Sequence, residues 1–327
     1  MRIVFAGSGT FGLPTLRALM DSGQEIILVV TQPDRPAGRG RSLRVGPVKR
    51  LAKARGLAIL QPEDVGAPAA VRRIHDARPD LLLVVAYGQI LGRRLLQVPS
   101  YGAVNLHASL LPKYRGAAPV NWAIINGESE TGLSVIEMTE AMDAGDILGQ
   151  RATPIGPDET AGQVLDRLAE VGARLVTEIV REIPLDEVAR RRQNETQATY
   201  APRLKKRDGR IDWDKPADEV YNHIRGVTPW PGAFSFLPAG GKKRPLRVVV
   251  DRAARSPVPA RKAAPGVVVS AGAEGIDVAC VRGAVRILEL TPAGKRRMGA
   301  ADFLHGHPLA RGDRFLGKEE KAGAGRP

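Results

Sequence analysis

The sequence predicts an α/β chain of two domains, a doubly wound, mostly parallel sheet followed by a small β-barrel, and three observations carry that reading. Short apolar runs alternate with segments of helical period over about the first 185 residues, as in a sheet covered on both faces. Beyond a polar stretch, short β-rich runs separated by Gly and Pro follow, the pattern of a small barrel. The charge is also segregated. Residues 1–200 hold 24 Lys+Arg against 22 Asp+Glu and residues 201–327 hold 25 against 13, so the net charge of +14 lies almost wholly in the second part.

The elements follow in order. Arg2 to Ala6 is an apolar strand, Gly7-Ser-Gly9-Thr-Phe-Gly12 a glycine turn, and Leu13 to Met20 a helix. With a second strand from Glu25 to Thr31 they form a βαβ unit carrying the G-x-G-x-x-G pattern. A dinucleotide site would need an acid at the end of that second strand. Thr31-Gln32-Pro33 stands there, with Asp34 only after the proline, so no NAD is expected and the glycines serve the tight turn. Gln32 to Arg44, with two prolines, two glycines and four arginines, reads as an irregular loop suited to phosphate. Val48 to Leu57 and Ala69 to Ala77 read as helices, Ile59 to Pro62 and Asp80 to Ala86 as strands, and the near-unbroken apolar run of the latter marks burial on both faces. Val120 to Ile125 reads as a helix, Gly132 to Met138 and Ile147 to Pro154 as strands, and Ala161 to Ile183 as a long helix opened by Asp158-Glu-Thr160.

These assignments make the first part Rossmann-like, with its ligand crevice beyond the carboxyl ends of the strands. The chain then turns polar, and residues 187–203 read as a linker between a domain of residues 1–186 and one of residues 204–316. In the latter, a short helix from Ala217 to Arg225 precedes β-rich runs at 233–237, 246–253, 266–270, 276–280 and 285–290, which suggest an OB-like barrel. Residues 317–327 read as a flexible tail.

Composition excludes several classes. Cys280 is the single cysteine and the five histidines are scattered, so neither a disulfide nor a metal site is expected. No apolar run reaches the length of a membrane span and the start lacks a secretory pattern, so a cytoplasmic chain without membrane association is expected. The basic second part predicts a polyanionic partner, nucleic acid being the commonest. Nothing demands more than a monomer.

The chemistry concentrates in Tyr101 to Gly116. Asn105, His107 and Ser109 alternate along an extended segment, so their polar side chains share a face while Val104, Leu106 and Ala108 face the other way. Taken alone, His107 reads more readily as a packed core histidine than as a catalyst; its spacing from Asn105 and Ser109 and the following Leu110-Leu111-Pro112 turn reverse that and favour the rim of a cavity. Acyl transfer requires a donor for the oxyanion, a group that manages protons near neutral pH, and a carboxylate that sets that group's state. Asn105, His107 and an acid from the loop Glu137 to Asp146 have those abilities, and no serine sits in a nucleophile elbow.

Over nearly its whole length the sequence resembles the tetrahydrofolate-dependent formyltransferases. The resemblance rests on Thr31-Gln-Pro-Asp-Arg-Pro-Ala-Gly-Arg-Gly40, Val85-Ala-Tyr-Gly88, Asn105-x-His107-x-Ser109-Leu-Leu-Pro112, Arg115-Gly-Ala-Ala-Pro119, Asp143-Ala-Gly-Asp146, Arg210-Ile-Asp-Trp213 and Pro292-Ala-Gly-Lys295. The arginine-rich loop and the basic C-terminal domain are similar to the tRNA-acting branch. The resemblance implies formyl transfer from 10-formyltetrahydrofolate to the α-amino group of methionyl initiator tRNA. It implies that Asn105 and His107 polarise the formyl oxygen while Asp143 orients His107, favours its charged form and helps remove the amine's proton. It further implies that Ser109, Leu110, Leu111 and Pro112 hold the folate and that Tyr87, Gly88 and Ile90 flank its pterin. Arg39 and Arg41 would meet the tRNA, and Lys205, Lys206 and Arg207 would track its phosphates. The main alternative is formyl transfer to a small amine, a glycinamide ribotide or an amino sugar. That reading leaves the basic domain without work.

Overall fold

The computed structural model describes residues 1–37, 42–238, 245–260 and 263–317. They form two compact units, one of residues 1–119, 130–154 and 165–202, the other of residues 120–129, 155–164 and 203 onward.

The first unit begins with β1 (Arg2–Gly7), α1 (Leu13–Asp21) and β2 (Glu25–Val30). The stretch expected to be an irregular loop instead carries two short antiparallel strands, β3 (Arg35–Ala37) and β4 (Ser42–Arg44). Its Pro, Gly and Arg content hides that pairing. Arg39 and Arg41 lie outside the described residues, as do Lys242 to Arg244 and residues 318–327. Next come α2 (Pro47–Ala54), β5 (Ile59–Leu60), α3 (Pro68–Asp76), β6 (Leu81–Val85) and α4 (Arg93–Leu96). Prolines stand in the first turns of α1, α2 and α3, where a fixed φ suits the helix and the missing N–H breaks no hydrogen bond.

In chain order there follow β7 (Ala103–His107), β8 (Arg115–Gly116), α5 (Pro119–Ile125), β9 (Glu130–Glu137), β10 (Ile147–Pro154), α6 (Ala161–Glu182) and β11 (Tyr200–Ala201), of which α5 from residue 120 and the first turn of α6 count with the second unit. The main sheet runs β10-β9-β7-β6-β1-β2-β5. Its five strands from β7 to β5 are parallel, whereas β9 lies antiparallel to both β7 and β10. The turn from β9 to β10 is too short for a crossover helix, which forces a hairpin. All of β6 is buried, and Val4, Leu28, Leu82 and Val84 join Ile74 of α3 in one apolar cluster. By contrast β10, at the sheet edge, is mostly accessible.

The second unit contains α7 (Ala217–Gly226), β12 (Ala233–Leu237), β13 (Leu246–Arg255), β14 (Val268–Gly272), β15 (Gly275–Ala279), β16 (Ala284–Pro292), β17 (Met298–Gly299) and α8 (Ala300–Gly306). Its sheet is antiparallel, in the order β12-β13-β16-β15-β14 with β17 on β16. Among the described residues no closed barrel is found. The end strands do not meet; Phe236 of β12 bridges to Leu316, and Val267, just ahead of β14, bridges to Arg314. Trp213 anchors the core, its indole N–H donating to Ser235 Oγ at 3.1 Å and its ring 6.0 Å from that of Phe315.

Candidate active site

Alternation along β7 brings Asn105 and His107 to one face near the carboxyl end of the strand, where an α/β sheet offers its crevice. His107 is 6% exposed. Its Nε2 lies 2.9 Å from the carbonyl oxygen of Tyr114. A carbonyl only accepts, so Nε2 carries the proton and Nδ1 is the other edge of the ring. That edge faces Asp143 Oδ2 at 3.6 Å. Asn105 Nδ2 donates to Asp143 Oδ1 at 3.5 Å, and the backbone N–H of Gly116 donates to Asp143 Oδ2 at 2.8 Å. A carboxamide, an imidazole and a carboxylate therefore meet, with Asp143 as the hub. The Asp143 side chain keeps 15% of its surface open, and Asn105 is only partly buried, so the cluster has an opening on that side.

Local backbone geometry makes the meeting possible. Asp143 adopts a left-handed conformation, φ 50°, which Asp tolerates better than most residues. Two residues on, a β-carbon at Gly145 would collide with the Glu137 carbonyl, so only glycine lets the loop fold this tightly onto β9. Asp146 closes the hairpin, its carbonyl accepting from Glu137 N–H at 2.9 Å. Gly116 has φ 119°, and a β-carbon there would stand 2.7 Å from the Ala201 carbonyl. The residue whose N–H reaches Asp143 must therefore be glycine.

The turn after β7 is pinned from inside. Ser109 Oγ donates to the Lys113 carbonyl at 2.6 Å. Ser134 Oγ donates to the Ser109 carbonyl at 2.7 Å and accepts from Leu111 N–H at 3.0 Å. Gln150 Nε2 reaches both Leu111 O, at 2.9 Å, and Ser134 Oγ, at 2.7 Å. Leu111 packs with Ile136 and Ile147. Within this turn the side chains of Leu110 and Pro112 are the partly accessible ones, whereas Ser109 and Leu111 are buried.

Tyr87, Gly88 and Ile90 follow the carboxyl end of β6, the strand beside β7. Tyr87 is 2% exposed and belongs to the apolar cluster of the sheet; burial pushes its phenol up to about 12. Ile90 is 81% exposed, and Gly88 takes a left-handed turn between them. Lys205, Lys206 and Arg207 are exposed on the second unit. That unit also holds a cleft of about 600 Å³ lined by Ile125, Arg210, Asp212, Lys215, Glu219 and His223. Its opposite charges pair, Lys215 lying 3.7 Å from Glu219. At the end of β2, Asp34 is held by Lys49 Nζ at 2.5 Å and Gln61 at 3.2 Å, contacts that keep its carboxyl below the usual range. It is an ion-paired acid following the proline. No group of His, Cys, Asp and Glu able to hold a metal occurs among the described residues.

Sequence reasoning missed the supports. Arg115, 3% exposed, sends Nε and Nη2 to Gln193 Oε1 at 3.1 and 2.8 Å and meets both carboxylate oxygens of Glu195 at 2.8 Å. The hydrogen bonds with Glu195 raise Arg115 above its ordinary value and hold Glu195 below the usual carboxylate range. The one local signal was Arg115 itself, an arginine opening a run of small residues.

With that geometry in place, comparison with known proteins identifies the class. The formyl transferase family model matches residues 1–180, and the formyl transferase C-terminal domain model matches residues 203–308. The chain belongs to the formyl transferase family. It is 45% identical to a protein of Citrifermentans bemidjiense named methionyl-tRNA formyltransferase, over 98% of each chain. It is 47% identical to one of the same name from Geotalea uraniireducens, over 98% of this chain and 99% of the other. Among solved structures, HypX from Aquifex aeolicus in complex with tetrahydrofolic acid matches at a TM-score of 0.63 and 17% identity, over 97% of this chain and half of that one. WlaRD, a sugar 3N-formyl transferase solved with dTDP and 5-N-formyl-THF, matches at 0.62 and 15%, over 90% of this chain and 99% of that one. These structural likenesses speak to the fold.

Proposed function

We propose that the chain transfers a formyl group from 10-formyltetrahydrofolate to the α-amino group of methionyl initiator tRNA, in the cytoplasm. The observation that carries the chemistry is the hub at Asp143, with Asn105 at 3.5 Å and His107 at 3.6 Å. The acceptor is supported by relatives of that name aligned over 98% of this chain and by the basic excess after residue 200.

The donor groups suit a folate co-substrate. Asn105 Nδ2 and the Nδ1 edge of His107 both point to the partly open Asp143 carboxylate, and Leu110 and Pro112 on the adjoining turn are partly accessible. In the reaction the amine nitrogen bonds to the formyl carbon. Asn105 and protonated His107 hold the oxyanion that forms. The bond from that carbon to folate N10 then breaks as His107 supplies N10 with a proton, and the proton released from the amine passes through Asp143 back to His107. Formyl amide and tetrahydrofolate result. The Nε2 bond to Tyr114 fixes which ring edge works, as pre-organisation requires.

Residues 1–186 carry this chemistry and residues 204–316 hold the RNA, with 187–203 between them. The bridges from Arg314 and Leu316 toward the two ends of the second sheet support an OB-like reading of that part. Lys205, Lys206 and Arg207, all exposed, contact phosphates, and Arg39 and Arg41 of the arginine-rich loop reach the acceptor end.

The test offers 10-formyltetrahydrofolate with charged initiator tRNA, uncharged tRNA, free methionine and glycinamide ribotide. Formylation of the charged tRNA alone is expected. Formylation of glycinamide ribotide and not of the tRNA would overturn the reading.

A further inference from the structure

Residues beyond α6 lie against the site at several points. Arg191 exchanges backbone hydrogen bonds with Ile147, at 2.8 and 2.9 Å. Thr199 accepts from Tyr114 N–H on its hydroxyl and from Arg115 N–H on its carbonyl, both at 2.8 Å. Between these two anchors sits Gln193, 6% exposed. Its Nε2 donates to the carbonyls of Asp143, at 2.7 Å, and Gly145, at 2.8 Å. Its Oε1 accepts two N–H groups of Arg115.

This arrangement admits one orientation of the amide. Arginine only donates and carbonyls only accept, so a flipped carboxamide would set N–H against N–H on one side and oxygen against oxygen on the other. Arg115 is itself gripped by Glu195 through two bonds of 2.8 Å. The chain Glu195, Arg115, Gln193 thus ends on the backbone of the left-handed residue that carries the hub carboxylate. A loop residue with φ 50° holds such a conformation only when its surroundings over-determine it.

We infer that Gln193, oriented by Arg115 and Glu195, is a positioning residue of the transfer reaction: it fixes the Asp143 loop so that the carboxylate meets Asn105 and His107. The inference rests on the catalytic reading of Asp143 proposed above. It gives residues 187–203 work beyond joining two domains. Gln193 touches no substrate; it acts through Asp143, and any damage to it passes through that residue.

The test is a double-mutant cycle in the full chain, read as kcat at saturating folate and tRNA, with both KM values and the thermal midpoint recorded. Gln193→Glu keeps the acceptor for Arg115 and removes both donors to the loop. It should lower kcat roughly tenfold or more with both KM values within about twofold, since a small misplacement of a reacting group acts on turnover. In an Asp143→Asn background the same substitution should change kcat by less than about twofold, because the residue through which it acts is already disabled. Full additivity of the two losses, or a change in KM alone, overturns the inference. An Asp143→Asn single variant with parental kcat overturns the catalytic reading of Asp143, a separate failure visible without the cycle. Should Gln193→Glu give no folded protein, Glu195→Gln carries the comparison, since that side chain is 63% exposed and only loosens Arg115. A smaller loss confined to kcat, absent with Asp143→Asn, is expected there; unchanged kcat in Glu195→Gln overturns the inference.

Discussion

One buried arginine in each unit is handled differently. Arg115 in the first is matched by a carboxylate and an amide, and its charge is consumed inside the network that ends on Asp143. Arg225 in the second, 7% exposed, has no carboxylate bond. Its guanidinium donates to the carbonyls of Gly156 and Glu159 and to Asn222, and lies 5.2 Å from the Tyr221 ring centroid. Desolvation lowers it, whereas Arg115 is raised by its partner. In the first unit the buried arginine is paired, and its network ends on the backbone of the Asp143 loop. In the second, Arg225 is buried on carbonyls and an amide, with Asp158 and Glu159 acting on it through space, while Arg286 of the same unit pairs directly with the buried Asp277. Chemistry needs geometry, and attraction of a polyanion needs only net charge and exposure.

Four experiments put that contrast to the test. The largest effect belongs to the first unit: His107→Ala should lower kcat by about two decades or more, as loss of an acid-base group does, with tRNA affinity preserved. Equal loss of affinity in a binding assay would point to misfolding. Next, replacing Lys205, Lys206 and Arg207 together by Ala should weaken tRNA binding and reduce the slope of log affinity against log salt by up to about three, leaving the folate KM unchanged. An unaltered slope in a salt titration would remove those residues from the interface. Third, Arg225→Ala should destabilise the second unit by about 2 kcal/mol in chemical denaturation, the scale of lost charged hydrogen bonds to buried groups. A neutral result would show that solvent satisfies those carbonyls.

The smallest effect is a pH dependence. Burial holds His223 below its usual value of 6.5 although its Nε2 meets the Asp208 carbonyl at 2.7 Å and Asp208 and Asp212 pull the other way. A depressed folded-state value means that the unfolded chain binds the proton first. Stability is then full above the usual value and is lost as pH falls through it toward the folded one. Denaturation series from roughly pH 7 to pH 5 should show a decline that His223→Gln flattens. A stability that rises on acidification would contradict the sign.

Much of the first unit was legible because its strands are buried on both faces, which writes β1 and β6 as continuous apolar runs. Asn105 and His107 were legible for a related reason, since two-residue spacing along one strand is a statement about a shared face. Asp143 was reached through a family resemblance. A left-handed loop residue leaves no periodic trace. Gln193 was invisible, since its partner Arg115 lies 78 positions away and glutamine in a polar stretch resembles any solvated side chain. The β3 and β4 pairing escaped because prolines and arginines lack strand composition. The helix α8 escaped because seven residues span barely two turns. In the second unit the strand runs were readable from Gly and Pro punctuation, whereas sheet closure depends on how the chain at Arg314 to Leu316 meets distant strands.

The proposed chemistry turns on the carboxylate at Asp143, and one rate measures its worth. In a single-turnover experiment with 10-formyltetrahydrofolate and charged initiator tRNA both bound, Asp143→Asn should slow formyl transfer by about two decades. A rate within about threefold of the parent would contradict the account.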